Sequence, residues 1–214
     1  MISTLFTPDL PPACRQVLLV TSSAEKSISA ELRMLERDDA NSWQQVGETI
    51  PVTLGRNGLA WGIGEHTASS PEGFRLKREG DGCSPAGIFR LPLAFGDAPS
   101  SDFRLSYVPI TETLLAVDDP HSQFYNQIVD SACVTQDWTS TEFMQREDGL
   151  YRWGIVVAHN PANQSGAGSC IFIHLWRGAG QPTAGCTAMS EGDLKRVLDW
   201  LDPALEPRLV QWIE

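Results

Sequence analysis

The stretch Cys170-Ile171-Phe172-Ile173-His174-Leu175 is an apolar run broken by one histidine. It leads through Trp176-Arg177-Gly178-Ala179-Gly180-Gln181-Pro182-Thr183-Ala184-Gly185 to Cys186. The run is apolar enough for a strand in a sheet interior. His174 stands at its end, where a side chain leaves the sheet and faces a cleft. Gly178, Gly180, Pro182 and Gly185 make the following segment a loop that turns the chain back. Beyond Cys186, Ser190 has the oxygen of a helix cap and Asp193 follows three residues on. Leu194, Val197, Leu198 and Leu201 form an apolar helical stripe, which Asp202-Pro203 ends. Strand, glycine loop, cysteine and C-terminal helix are thus expected in that order.

Upstream, the signals are those of β-structure. Val17 to Thr21 is a short apolar strand. From Ser27 to Met34, Ile28, Ala30, Leu32 and Met34 alternate with polar residues, and Asp38-Asp39-Ala40-Asn41 turns the chain toward a partner strand at Trp43 to Val46. Arg56-Asn57-Gly58 is a second turn. The glycines of Glu79 to Gly87 predict a loop, which runs into Ile88-Phe89. Thr139 and Glu142 fit a capping box, which predicts a short helix there. Tyr151 to His159 reads as a strand. The expectation is one mainly β domain over residues 17–214, with a C-terminal helix and an N-terminal extension over 1–16.

Composition narrows the function. With 214 residues, 42% of them hydrophobic, the chain suits one sizeable core. Twenty-seven acidic against 16 basic residues give a formal charge of -11, which repels phosphate backbones, so no nucleic-acid partner is expected. Apolar runs such as Val17 to Val20 are far too short for a transmembrane segment. Met1 to Ala13 has neither a basic start nor a hydrophobic stretch, so no signal peptide is expected there. Cys14, Cys83, Cys133, Cys170 and Cys186 form no C-x-x-C pair. Cys170 is expected to be a small buried hydrophobe.

Cys186 and His174 are the residues with chemistry to offer. A thiol attacks a carbonyl as a thiolate and needs a base nearby. A strand followed by a glycine turn holds imidazole and sulfur within reach, and the N–H groups around Gly185 and Cys186 are candidate oxyanion donors. The same pair, twelve residues apart, also occurs in proteins where both only pack. A zinc hydrolase built on His174, His159 and Cys186 lacks the usual ligand spacing. His159 is expected to close a strand end, and His66 and His121 to lie exposed in turns. Asp81 and Asp119 are expected to bond their own backbone. No acidic residue is near His174 in sequence, so a backbone carbonyl is expected to hold the second ring nitrogen.

His174, Thr183, Gly185 and Cys186 resemble the active-site motif of the L,D-transpeptidase catalytic domain, the YkuD-like family. That motif is a histidine, a glycine-containing loop, then Ser/Thr-x-Gly-Cys. Further likeness lies in Lys77 to Phe89, in Asp118-Asp119-Pro120 with Tyr125-Asn126, and in Gly166 to Ser169 leading into Ile171. The chain departs from the pattern at Leu175, where many relatives have glycine, and at Ala188, where many have arginine. The resemblance implies a β-sandwich or barrel-like fold, Cys186 as nucleophile and His174 as general acid/base. Gly185, Thr183 and Arg177 would serve the oxyanion or substrate, with no metal or organic cofactor. It implies a peptidoglycan L,D-transpeptidase acting on stem peptides, with carbapenem-type β-lactams as inhibitors. The site would be the periplasm or cell envelope if a leader is removed, and otherwise the cytoplasm. An L,D-carboxypeptidase using water, or an inactive cell-wall binding module, are the alternatives.

Overall fold

A computed structural model describes residues 9–214. The fold is mainly β, as expected. The strands are β1 (Gln16–Ser22), β2 (Ser29–Arg37), β3 (Trp43–Thr53), β4 (Leu59–Trp61), β5 (Ser84–Arg90), β6 (Ala94–Gly96) and β7 (Tyr107–Pro109). They continue as β8 (Leu114–Val117), β9 (Gln127–Asp130), β10 (Thr141–Phe143), β11 (Trp153–Val156), β12 (Phe172–Leu175), β13 (Thr187–Met189) and β14 (Arg208–Ile213). The helix α1 covers Glu191–Trp200.

Eleven strands form one sheet in the order β4-β5-β14-β1-β2-β3-β13-β12-β11-β6-β7, and β10-β8-β9 form a second. The large sheet is strongly curved. β5 and β13 lie five strand positions apart, which is about 24 Å in a flat sheet at ~4.8 Å per strand. Yet Ser84 Oγ at the start of β5 donates to the Cys186 carbonyl at 3.0 Å, and Thr187 Oγ1 on β13 donates to Gln211 Oε1 on β14 at 2.8 Å. Rolling the sheet is the only way to close that span.

The main core fills the rolled sheet and takes in Leu18, Leu32, Ile50, Phe89 and Ile173, with Leu194, Val197 and Leu198 of α1. Leu10 and Cys14, from the expected N-terminal extension, pack in this core as well. A second core joins the small sheet to the large one through Phe95, Ala116, Met144, Tyr151, Phe172 and Cys186. Cys186 therefore sits at the seam between the sheets.

Most local expectations match the elements. The alternation from Ser27 gives β2, which pairs with β3 through a turn where Asn41 takes φ 69°. Ser190 Oγ accepts from the Asp193 N–H at 3.2 Å and caps α1. The helix expected at Thr139 is instead β10. Thr139 spends its N–H and hydroxyl on Asp119 Oδ2, at 2.7 and 2.8 Å, and Thr141–Phe143 then pair with β8. The capping-box residues are thus drawn off by tertiary partners.

The expected loop over Glu79 to Gly87 gives way to strand at Ser84. Gly87 keeps φ 140° there, because the His66 ring stands 2.3 Å from where a Cβ would go. His66 is accordingly not exposed. It packs edge-on against Trp61, with centroids 4.5 Å apart, and its Nδ1 accepts from the Ile88 N–H at 3.1 Å.

Candidate active site

β12 and β13 run parallel, with His174 opposite Ala188. Residues two apart on a strand share a face. Cys186, two before Ala188, therefore projects to the same side as His174, at a diagonal of about 8 Å between backbones. Both line one cavity, with Glu142, Tyr151, Arg146 and Arg177 in its walls. The glycine loop between them supplies the return that a parallel pair requires.

His174 is buried, at 7% exposure, and its Nδ1 lies 2.7 Å from the Leu175 carbonyl. A carbonyl only accepts, so Nδ1 carries the proton and Nε2 keeps its lone pair. The holder is a backbone carbonyl, so the contact does not depend on the side chain at 175. Tyr151 packs edge-on against the imidazole at 5.2 Å and donates its hydroxyl to Glu142 Oε2 at 2.7 Å. Burial pushes the His174 pKa down to about 4, and Arg146 and Arg177 push the same way.

Cys186 is held from three sides. Its Sγ accepts from the Phe172 N–H at 3.3 Å, and its S–H donates to the Cys170 carbonyl at 3.7 Å. Its carbonyl accepts from Ser84 Oγ and from Thr183 Oγ1, the latter at 2.6 Å. Burial pushes the thiol up to about 12, and the Glu142 carboxylate adds to it. Cysteine and histidine therefore rest as a neutral pair. Burial thus opposes a preformed thiolate–imidazolium pair at both groups.

The other expected site residues fall close by. Thr183 builds the turn: its hydroxyl accepts from the Gly185 N–H at 3.1 Å while donating to the Cys186 carbonyl. The Gly185 N–H is thereby occupied. Arg177 lies on the cavity rim with its side chain 58% exposed, and it reaches Asp148 Oδ2 at 3.4 Å. Asp148 is mainly held by Arg146, through bonds of 2.9 and 2.6 Å. The Arg146 guanidinium also lies over the Tyr151 ring, 5.0 Å from its centroid.

His159 is placed differently. It is buried at the end of its segment, with Nδ1 accepting from the Ile63 N–H and Nε2 3.0 Å from the Ala167 carbonyl. Both nitrogens are used in joining loops. Asp81 and Asp119 accept from neighbouring backbone N–H groups, as expected of turn formers, and Asp81 also pairs with Lys77 at 2.7 Å. Cys170 is buried and its thiol donates to the Val117 carbonyl. Its φ of 54° is left-handed, which delays the strand to Phe172. Asn126 Oδ1 accepts from the Cys170 N–H at 2.9 Å and fixes this bend, and the bend aims the Cys170 carbonyl at Cys186.

Three residues of the site carried no functional signal in the sequence. Glu142 reads as part of a capping box and Tyr151 as the start of a strand, and nothing singles out Arg146. The approach of Glu142 to Cys186 depends on β10 pairing with β8, a contact between segments distant in the chain.

The fold is mainly β and brings a cysteine and a histidine to one cleft. The sequence profile of the L,D-transpeptidase catalytic domain, YkuD, matches residues 30–209, and the chain belongs to that family. Comparison with curated proteins gives no match. The family acts on peptidoglycan peptides. Among the described residues, no helix is long and apolar enough to cross a membrane.

Proposed function

We propose that this domain is a cysteine-dependent peptidoglycan L,D-transpeptidase. The observation that carries the reading is the shared cavity of Cys186 and His174, with the imidazole tautomer fixed by Leu175 so that a basic Nε2 is available. Cys186 Sγ adds to the carbonyl between an L-centred diamino residue and D-alanine. His174 Nε2 takes the thiol proton as the C–S bond forms. The tetrahedral oxyanion collapses, the C–N bond breaks, and His174 returns the proton to the departing amine. An amine of a second stem peptide then attacks the thioester, His174 accepts its proton and passes it to the sulfur as the C–S bond breaks, and Cys186 leaves as the thiol.

Because both groups rest neutral, the proton moves during attack rather than before it. We assign oxyanion support to the Cys186 N–H, since Thr183 already uses that of Gly185. Thr183 and Gly185 then serve by holding the turn. Arg177, with Arg146, gives the cavity a cationic rim suited to a substrate carboxylate. This takes the place of the arginine that Ala188 replaces. Water in the acceptor position would give the L,D-carboxypeptidase outcome by the same steps. In that scheme the cell envelope is the compartment.

Intact mass after incubation with a stem tetrapeptide or a carbapenem tests the reading. A stoichiometric adduct that maps to Cys186 and is missing from Cys186→Ala is expected. Wild-type protein that never acquires an adduct would instead indicate the inactive binding module.

A further inference from the structure

A second cavity opens beside Cys186, lined by Arg56, Lys77, Glu79, Asp118, Glu142 and Ser169. Glu142 belongs to the walls of both cavities. Several of these charges are already committed. Lys77 Nζ is on Asp81 at 2.7 Å, and Glu79 Oε2 accepts from the hydroxyls of Tyr125 and Ser169. Glu142 and Asp118 each keep an oxygen in reserve. Oε2 of Glu142 accepts from Tyr151, while among the described residues its Oε1 accepts nothing. Asp118 Oδ1 is buried without a hydrogen-bond partner.

Taken alone, this arrangement hinders the chemistry of Cys186. A carboxylate beside a sulfur that must become a thiolate raises the cost of ionisation, and Glu142 does so here. Glu142 is itself held up by burial and by the neighbouring Asp118. A cation entering the cavity would offset both penalties by its charge and could bond the unused oxygen of Glu142. Among the described residues, no set of three or more His, Cys, Asp or Glu side chains is arranged to hold a metal ion. A primary ammonium, compact and with three N–H donors, fits a cavity where Glu142 offers an oxygen not already bonded and Asp118 adds a second negative charge.

We propose that Glu142, with Asp118 in the same cavity wall, recognises a primary ammonium group of a stem peptide and holds it beside Cys186. The proposal rests on the transpeptidase reading for the identity of the peptide. Two stem-peptide amines have this chemistry: the side-chain amine of the donor's diamino residue, and the amine of the acceptor.

Calorimetry tests the recognition without turnover. The ligand is a tripeptide ending in a diamino residue, with its side-chain amine free or acetylated, and it lacks the scissile bond. Wild type is expected to bind the free amine at least about tenfold more tightly. Glu142→Gln is expected to cut that preference to about threefold or less, with Asp118→Asn acting in the same direction and Glu142→Asp retaining part of it. The amide oxygen of Glu142→Gln still accepts from Tyr151, so an unchanged melting curve separates lost recognition from lost folding. No preference in wild type, or a preference that survives Glu142→Gln, overturns the proposal.

Single-turnover mass spectrometry assigns the source of the amine. Slower acylation of Glu142→Gln by an amine-bearing tetrapeptide points to the donor. Unchanged acylation with a fall in aminolysis relative to hydrolysis points to the acceptor, and no change in either step overturns the proposal. Wild type that is never acylated sinks the transpeptidase reading, while the calorimetric result still decides the recognition.

Discussion

At the scale of single residues, the site is a buried neutral thiol beside a buried neutral imidazole. The direction of both shifts has a kinetic signature. With the thiol near 12, the rate of Cys186 alkylation by iodoacetamide should rise about tenfold per pH unit from pH 6 to 9 without levelling. Peptide mapping separates this thiol from the exposed Cys133. A plateau below pH 8 would mean a preformed ion pair and would contradict the neutral resting state. His174→Gln should slow acylation by about 10²–10⁴-fold, the usual worth of a positioned base, with the adduct still mapping to Cys186. Acylation at the wild-type rate would remove His174 from the mechanism.

At the scale of elements, the site depends on the strands that flank His174. Gly154 on β11 pairs with His174, and a Cβ there would lie 2.1 Å from the Phe95 ring. Phe95 packs on Tyr151 and Phe172, with centroids 5.6 and 5.2 Å away, so no empty space lies behind it. Gly154→Ala should therefore cost about 1–3 kcal/mol in urea unfolding, the range of overpacked cores. It should also slow acylation by displacing Tyr151 against the imidazole. An effect on neither quantity would show that the second core yields easily. The helix α1 gives a contrast. Ser190→Ala removes its cap and should cost about 1 kcal/mol. It should leave acylation within about twofold, since the transition state does not involve the cap.

At the scale of the whole molecule, burial of neutral histidines couples stability to pH. His159 and His174 are both held down to about 4 by burial, and His66 is lowered for the same reason. In the unfolded chain a histidine titrates near 6.5, so for His159 and His174 the unfolded state binds more protons between 6.5 and 4, and His66 acts in the same direction. The stability they contribute is fully present above about pH 6.5 and is lost as the pH falls toward 4. Each histidine accounts for up to about 1.4 kcal/mol per pH unit. Urea midpoints measured from pH 7 to 4.5 should fall accordingly, and a flat profile would mean that these rings become charged without unfolding.

The sequence by itself determined the strand before His174, the glycine return to Cys186, the cap at Ser190 and the hairpin of β2 and β3. Each of these rests on interactions between neighbours in the chain, where alternation, turn residues and capping oxygens leave local marks. The histidine–cysteine pair stood out through the family resemblance, because a twelve-residue spacing by itself fits packing equally well. Only the tertiary structure decided the rest. Thr139 looked like a helix cap until Asp119, twenty residues away, took its N–H and hydroxyl. His66 looked exposed until Gly87 left room for its ring. Glu142 and Asp118 reach Cys186 because the small sheet packs against a strongly rolled large one. That curvature comes from the sum of side-chain packing across eleven strands, and it leaves no periodic mark in the chain.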